Sequence, residues 1–402
     1  MSRVFKALVV LGVLVAALQT TPHLKSLVAK SIQTTPISSK ILGPVKGLIS
    51  AQELVEQREA NLLFKGEAHE VRASPVLPEM YAKIKHPEPY VLHIPKARVY
   101  SDKGVVIAPL SDKALDDSAF ESSAISGDTP VLKELSLGPL KPLTGRSVLI
   151  SGACYRNYYQ WMINILPKVA LLQAKEIKTD RYLIPKSAPK FVKESLEMLG
   201  IRENIETLDT DSHYECDELI YPSMPCRHPT AYVPKWVCQW LRKTFHDSRK
   251  SGRVYAKHII ISRSKASGKH MLNEQELLTR LEPYGFVCVS LEDMTLEDQI
   301  GLFGQVEIVI ASHGAGLTNL VFSNSGTKVI EIFPPQENYT PSYAIISQVL
   351  KLDHTPIFLD EADLRSSKEY SVNIEQIEQM VWCMMNDSGI DSEVEDASAL
   401  WP

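Results

Sequence analysis

The sequence lacks several patterns that would fix its chemistry at once. None of its six cysteines (Cys154, Cys216, Cys226, Cys238, Cys288 and Cys383) belongs to a C-x-x-C pair, so a zinc ribbon or a thioredoxin-like redox motif is unsupported. Cys226-Arg227-His228 has no matching second pair, and no structural metal is expected. No G-x-G-x-x-G follows an apolar run, which argues against a dinucleotide-dependent oxidoreductase. Positive charge is not in excess: the net charge is −5, and nucleic acid is not an expected partner. An apolar run at the N-terminus, Ala7–Leu18, is shorter than the roughly 20 residues of a full membrane span. It follows Arg3 and Lys6 as the apolar part of a secretory signal would. Ala16-Ala17-Leu18-Gln19 is a poor cleavage site, so an uncleaved single-pass signal anchor over residues 1–22 is expected. That would place the protein on an ER, Golgi or bacterial inner membrane. A cleaved signal with a secreted or lumenal protein is the alternative.

What remains is ordinary globular sequence. The 402 residues are 44% hydrophobic and 23% charged, which is comfortable for two domains. Residues 23–89 read as a stem and N-terminal extension. Tyr90–Pro109 alternates on both sides of Ser101-Asp102-Lys103-Gly104, a hairpin signal. From Ser147 short apolar runs alternate with helical periods. One helix is expected over Asn157–Lys175, with Trp161, Ile165, Val169 and Leu172 on one face and a kink at Pro167. Pro234–His246 is expected to be a helix with proline in its first turn. The charged, glycine-ended stretch Arg249–Gly252 marks a boundary between domains 90–250 and 251–385. Beyond it, Asn273 with Glu276, and Thr295 with Asp298, read as helix starts. Residues 386–402 form an acidic tail. Asn338-Tyr339-Thr340 and Asn386-Asp387-Ser388 are glycosylation sequons, which matter only in a secretory lumen. Strand–helix alternation implies an α/β fold of two doubly wound domains with a cleft between them.

The most informative stretch is Val306–Pro335. Ile308–Ala311 reads as a buried strand. A polar glycine turn, Ser312-His313-Gly314-Ala315-Gly316, leads into a short amphipathic helix carrying Leu317, Leu320 and Val321, which Gly326 should stop. A second strand, Val329–Phe333, follows. Ligands of such sheets bind at the carboxyl ends of the strands, and a glycine turn opening a helix suits a phosphate; it equally serves as a plain tight turn. Ser262-Arg263, with Lys265, Lys269 and His270 in the next loop, should open on the same edge. Glu331, inside an apolar strand, either bonds a ribose hydroxyl or pairs with a neighbour. His313 either polarises a phosphate, acts as a base, or orients the turn. Across the cleft, Arg156, Asn157 and Gln160 should face the ligand.

Three blocks carry a family resemblance: Asn157-Tyr158-Tyr159-Gln160-Trp161 through Ile165-Leu166-Pro167-Lys168; Ile261-Ser262-Arg263 through Leu272-Asn273-Glu274; and His313-Gly314-Ala315-Gly316-Leu317-Thr318-Asn319 through Glu331-Ile332-Phe333-Pro334. Over about Ser147–Leu359 the chain resembles glycosyltransferase family 61. The resemblance implies a GT-B-like pair of Rossmann-type domains and inverting, metal-independent transfer from a UDP-sugar to a glycan or polysaccharide hydroxyl. The nucleotide sugar is then a co-substrate, and no other cofactor is implied. It implies donor binding by Asn157, Arg263, Lys269, His270, His313, Gly314, Ala315, Gly316, Asn319 and Glu331. The implied metal independence goes with the expected absence of an obvious Asp-x-Asp metal motif from the chain. The family's acid and base positions, commonly His and Asp, are here Gln160 and Asn164, amides that cannot act as general bases. Lys269 and His270 stand where the family usually has arginine. The implied alternative is a weakened relative that binds nucleotide sugar or glycan without transfer.

Overall fold

Strand–helix alternation after residue 250 produces one five-stranded sheet in which every pair is parallel. Its spatial order is Phe286–Val289, His258–Ile261, Ile308–Ser312, Lys328–Phe333, Asp353–Phe358. Numbered along the chain this is 2-1-3-4-5. The order reverses between His258–Ile261 and Ile308–Ser312, and ligands of doubly wound sheets bind at such a switch point. Both strands are short apolar runs of Ile, Val and Ala, as expected where a strand is covered on both faces. The computed structural model describes residues 45–386, apart from 66–69, 73–82, 86–87, 120–136, 138, 227–232, 251, 266–269, 335–339 and 367–368; for 70–72, 83–85 and 365 it describes the backbone alone. The N-terminal run over 1–22, the tail beyond 386 and Lys269 therefore lie outside the described residues.

The first half is less regular than two matching doubly wound sheets would be. Its ten-stranded sheet is mixed. Lys141–Leu149, Arg181–Pro185, Ile205–Leu208 and His213–Pro222 pair in parallel. The other edge of His213–Pro222 takes Tyr90–Pro95 and Arg98–Tyr100 antiparallel. The hairpin is present: Arg98–Tyr100 pairs with Val105–Ile107 around a turn with Ser101 and Gly104 at positive φ. The two sheets share one apolar core, running from Val148 and Trp161 to Ile259, Val309 and Val329.

The helix expected over 157–175 is broken into three pieces. Tyr158–Gln160 is α, Trp161–Ile165 is a π-turn, and Lys168–Ala174 resumes as α. The Leu166 N–H reaches back five residues to the Trp161 carbonyl at 2.8 Å. Pro167 brings no N–H and its ring crowds the preceding turn, so the chain widens instead of merely kinking. The helix after the glycine turn, Ala315–Phe322, is 3-10 throughout and buried all round from Leu317 to Phe322. It is wedged between the sheet and the helices Lys235–Thr244 and His246–Arg249. Arg242 donates to the Val321 and Ser323 carbonyls at 3.0 and 2.5 Å, and Arg249 to the Phe322 carbonyl at 2.8 Å. These cations cap its C-terminal end. Gly326, expected to stop it, instead makes the turn into the next strand at φ +82°.

Two capping signals fared differently. Thr295 accepts the Asp298 N–H at 3.1 Å as expected. Asn273 makes no side-chain cap; it clasps Val372 through both of its amide atoms. The single-pass anchor is corrected: among the described residues no helix is long and apolar enough to cross a membrane. The run that suggested it, Ala7–Leu18, is too short for a span on its own count.

Candidate active site

The switch point brings Arg263 and His313 together. Arg263 follows the strand His258–Ile261 and His313 follows Ile308–Ser312. The Arg263 Nη1 donates to the His313 carbonyl at 3.2 Å. It lies so close to Gly314 that a Cβ there would stand 2.3 Å from it. Glycine is needed at 314 because the guanidinium occupies the side-chain space; its extended backbone is open to any residue. Glu274 steadies the base of the arginine, accepting from the Arg263 N–H at 3.2 Å and the Ser262 hydroxyl at 2.7 Å. His270 Nδ1 lies 2.9 Å from the Arg263 carbonyl, which makes it the donor. The N-cap of Ala315–Phe322 is Gly314, which has no side chain to cap the helix, and the Arg263 guanidinium lies beside it.

Behind them lies a relay that sequence reading identified only in part. Glu331 is buried at 1% exposure. One carboxylate oxygen lies 2.6 Å from His313 Nδ1 and the other 2.9 Å from His354 Nε2. Burial pushes the carboxyl up, but the two imidazole hydrogen bonds outweigh it and hold the Glu331 pKa below its ordinary value. With Glu331 ionised, both facing ring nitrogens are donors. His313 is left with Nε2 free to accept, 3.2 Å from the Thr340 hydroxyl, and His354 accepts from Ser347 at 2.7 Å. The His313 ring is fixed by stacking on Phe333 at 4.9 Å and leaning on Tyr343 at 5.1 Å. A carboxylate that fixes one ring nitrogen and leaves the other available is the arrangement of hydrolase triads. Of the open alternatives, Glu331 pairs with neighbours. His354 was missed because it sits in a strand, Asp353–Phe358, whose polar start carries no motif; only the parallel register, Val329 beside His354, brings it near.

The other expected residues divide. Asn157 is the N-cap of its helix, accepting the Gln160 N–H at 3.1 Å. Asn319 is fully buried; it accepts from the Tyr158 hydroxyl at 2.6 Å and donates to Gln299 at 2.9 Å and to the Gly316 carbonyl at 3.2 Å. It braces the glycine turn against the first half. Gln160 accepts from Asn164 Nδ2 at 2.6 Å, and both line a cleft with the Gly152–Cys154 turn. The chain does hold one Asp-x-Asp triplet, Asp209-Thr210-Asp211, in the turn between two strands of the first sheet. Asp209 there pairs with Lys186 at 2.8 Å on the surface. Among the described residues no group of three or more His, Cys, Asp or Glu gathers to hold a metal ion.

Residues 158–330, which include Gln160, Asn164, Arg263, His270, His313, the glycine turn and Asn319 but not Asn157, Glu331 or His354, match the family model Glycosyltransferase 61. Over this segment, which is under half of the chain, the sequence is similar to glycosyltransferase family 61. Among curated relatives, the mouse protein O-linked-mannose beta-1,4-N-acetylglucosaminyltransferase 2 is 34% identical over 97 residues, 23% of this chain and 17% of that protein. The bovine protein of that name is 32% identical over 108 residues, 25% and 18% of the two chains. The matched part thus spans under a fifth of these relatives. Among solved structures, a flavo di-iron protein from Thermotoga maritima aligns at a TM-score of 0.25 and 9% identity, covering 81% of this chain and 100% of that one; at that score it carries no weight. The family match supports glycosyl transfer as the activity class.

Proposed function

We propose that the chain moves a sugar from a nucleotide-sugar donor, a UDP-sugar, to a hydroxyl of a glycan or polysaccharide, with inversion. The two sheets would then act as a GT-B-like pair, with the acceptor on residues 90–250 and the donor on 251–385. The observation that carries the reading is Arg263 laid over Gly314 at the switch point, with the imidazole of His313 oriented by Glu331. In this reading the donor diphosphate lies on the uncapped helix start at Ala315 and Gly316 and against Arg263 and His270; Lys269 belongs to the same loop. The acceptor oxygen attacks the anomeric carbon as the bond to the diphosphate breaks, and the hydroxyl proton passes to His313 Nε2. The charge that develops on the leaving group meets the guanidinium and the helix N–H groups. No metal ion or other cofactor is assigned a role, and transfer that persists in a chelator is the corresponding expectation. His313 Nε2 is the ring nitrogen able to exchange a proton at this edge.

UDP release from UDP-N-acetylglucosamine and other UDP-sugars, with and without glycan acceptors, tests the reading. Arg263→Ala should abolish turnover, and His313→Gln should lower kcat by about 10²–10⁴-fold, the usual worth of a positioned acid or base. A second reading is binding without transfer. It is favoured by the Gln160–Asn164 pair, two amides at positions where a proton acceptor is expected. UDP binding by titration with no turnover on any acceptor, together with activity gained on Gln160→His, would decide for it.

A further inference from the structure

The cleft on the first half has a feature that the donor edge lacks. Asn164 is 6% exposed, and its Oδ1 is fully enclosed with no hydrogen-bond partner. The Nδ2 of the same amide donates to Gln160 at 2.6 Å, so the oxygen is the unpaired end of an amide that lines the cleft. A buried acceptor left without a donor is destabilising, because it has lost its water and gained no partner. Asn164 also sits in the π-turn Trp161–Ile165, and π-turns inside α-helices concentrate at functional sites, where the added residue re-aims a side chain. The turn and the orphaned oxygen are independent observations on one residue.

The remaining walls are apolar or small: Ala153, Ile165 and Met224. A buried network sets them. The Lys168 Nζ donates to the Ser151 carbonyl at 2.9 Å, directly before Gly152, and the Asp117 carboxylate accepts the Met224 N–H at 3.1 Å. Among the described residues no cation lines the cleft. An anion would meet the Asn164 oxygen head-on, whereas a group that both donates and accepts would be matched, since Gln160 keeps its amide nitrogen as a donor at the rim.

We propose that this cleft is a recognition subsite for a neutral carbohydrate hydroxyl, which donates to Asn164 Oδ1 and accepts from Gln160 Nε2. The subsite binds the hydroxyl without deprotonating it, because neither amide can take a proton. That the ligand is a sugar rests on the glycosyl-transfer reading; the preference for a neutral donor–acceptor group rests on the cleft alone.

Titration of the full chain by ligand-observed NMR tests it, with methyl α-mannopyranoside and N-acetylglucosamine as neutral probes and glucuronate as the charged comparator. The expected result is binding of a neutral probe and weaker binding of glucuronate. Asn164→Leu should weaken the neutral probe about tenfold, the scale of one lost buried hydrogen bond. Asn164→Asp, which removes the donor to Gln160 and adds a negative charge, should not recover the affinity of the wild type. Gln160→Leu, at the rim, gives a second variant should the π-turn fail to tolerate leucine, and should weaken the same probe. No binding of either neutral probe, equal binding of glucuronate, or unchanged binding in both leucine variants overturns the proposal. Sugar binding without any UDP release removes the transfer reading and leaves the subsite; UDP release with unaltered sugar affinity in the variants removes the subsite and leaves transfer.

Discussion

Each half of the molecule buries a charged side chain near its cleft, Glu331 in one and Lys168 in the other, and the two are treated in opposite ways. On the donor side, Glu331 is enclosed between His313 and His354 and held below its ordinary pKa by their hydrogen bonds. On the other side, Lys168 is fully buried, with the Ser151 carbonyl at 2.9 Å and the Tyr221 ring at 4.9 Å from its nitrogen. Burial drives its pKa down to about 8, against a smaller opposing pull from Asp117. Donors surround the carboxylate, so charge is stabilised there. The ammonium has a carbonyl and a ring for neighbours, so charge is only tolerated. The contrast teaches that the Arg263–His313 edge surrounds its buried charge with hydrogen-bond partners, whereas the first half leaves the Lys168 ammonium with few.

The comparison breaks first at Glu331. Glu331→Gln keeps the shape but sets an amide N–H against one imidazole N–H and removes the charge that both rings face. A loss of about 3–5 kcal/mol in denaturant unfolding is expected, as for breaking a buried pair. Turnover should fall with it by at least about 10²-fold. The pH sign follows from the lowered pKa. Its stabilisation is present above the ordinary carboxyl value of 4.5 and is lost as pH falls through the lowered one. The wild type should therefore lose stability in that acid window and the variant should not. A variant with the same acid profile as the wild type would mean that Glu331 is not the charge the rings face.

Lys168 gives the opposite sign. Its folded pKa, about 8, lies below the unfolded 10.5, so between these values the unfolded chain binds more protons and stability rises with pH. The rise attributable to this one group is on the order of 3 kcal/mol. Lys168→Met, compared with wild type by denaturant unfolding from pH 7 to 11, should flatten that rise. Parallel curves would place the ammonium in a far wetter site than its burial implies.

Gly314→Ala separates binding from folding at the donor edge. The added Cβ would meet the end of the Arg263 side chain, which can swing away, so the melting point should barely move. Nucleotide affinity should fall about 10–100-fold, as for a lost charge-assisted contact. Gly316→Ala meets only Leu291 Cδ1 at 2.9 Å and should lose less.

These sites were unequally legible in the sequence. The strand, glycine turn and strand of Val306–Pro335 could be read because apolar runs and glycines are local signals. So could Arg263 at a strand end. The partner that makes His313 an oriented base candidate, Glu331, was named, but as one of two alternatives, because parallel register is set by distant chain. His354 carried no signal at all. The π-turn was invisible since it differs from a kinked α-helix by one added residue, and Pro167 announces both. The first sheet's antiparallel flank was obscured because His213–Pro222 pairs differently on its two edges, and nothing in a single strand's pattern tells which neighbours it will have. Asn319 was a ligand residue only by the family resemblance; its buried partners, Tyr158 and Gln299, come from elsewhere in the chain.

The smallest effect tests the joint between the compared halves. The Tyr158 hydroxyl is the donor to Asn319 Oδ1 across that joint, at 2.6 Å, and burial pushes its pKa well up, so it stays protonated and donating. Its ring is fixed edge-on to Phe191 at 5.2 Å, so Tyr158→Phe should remove the hydroxyl and leave the packing. The cost should be about 1–2 kcal/mol, the penalty of an acceptor left without its donor in the interior. If Asn319 serves only as a brace, nucleotide affinity should follow stability and no more. If loosening the brace frees the glycine turn, affinity should fall further than stability predicts. Measuring both in Tyr158→Phe therefore decides whether the acceptor-side helix merely supports the donor turn or tunes it.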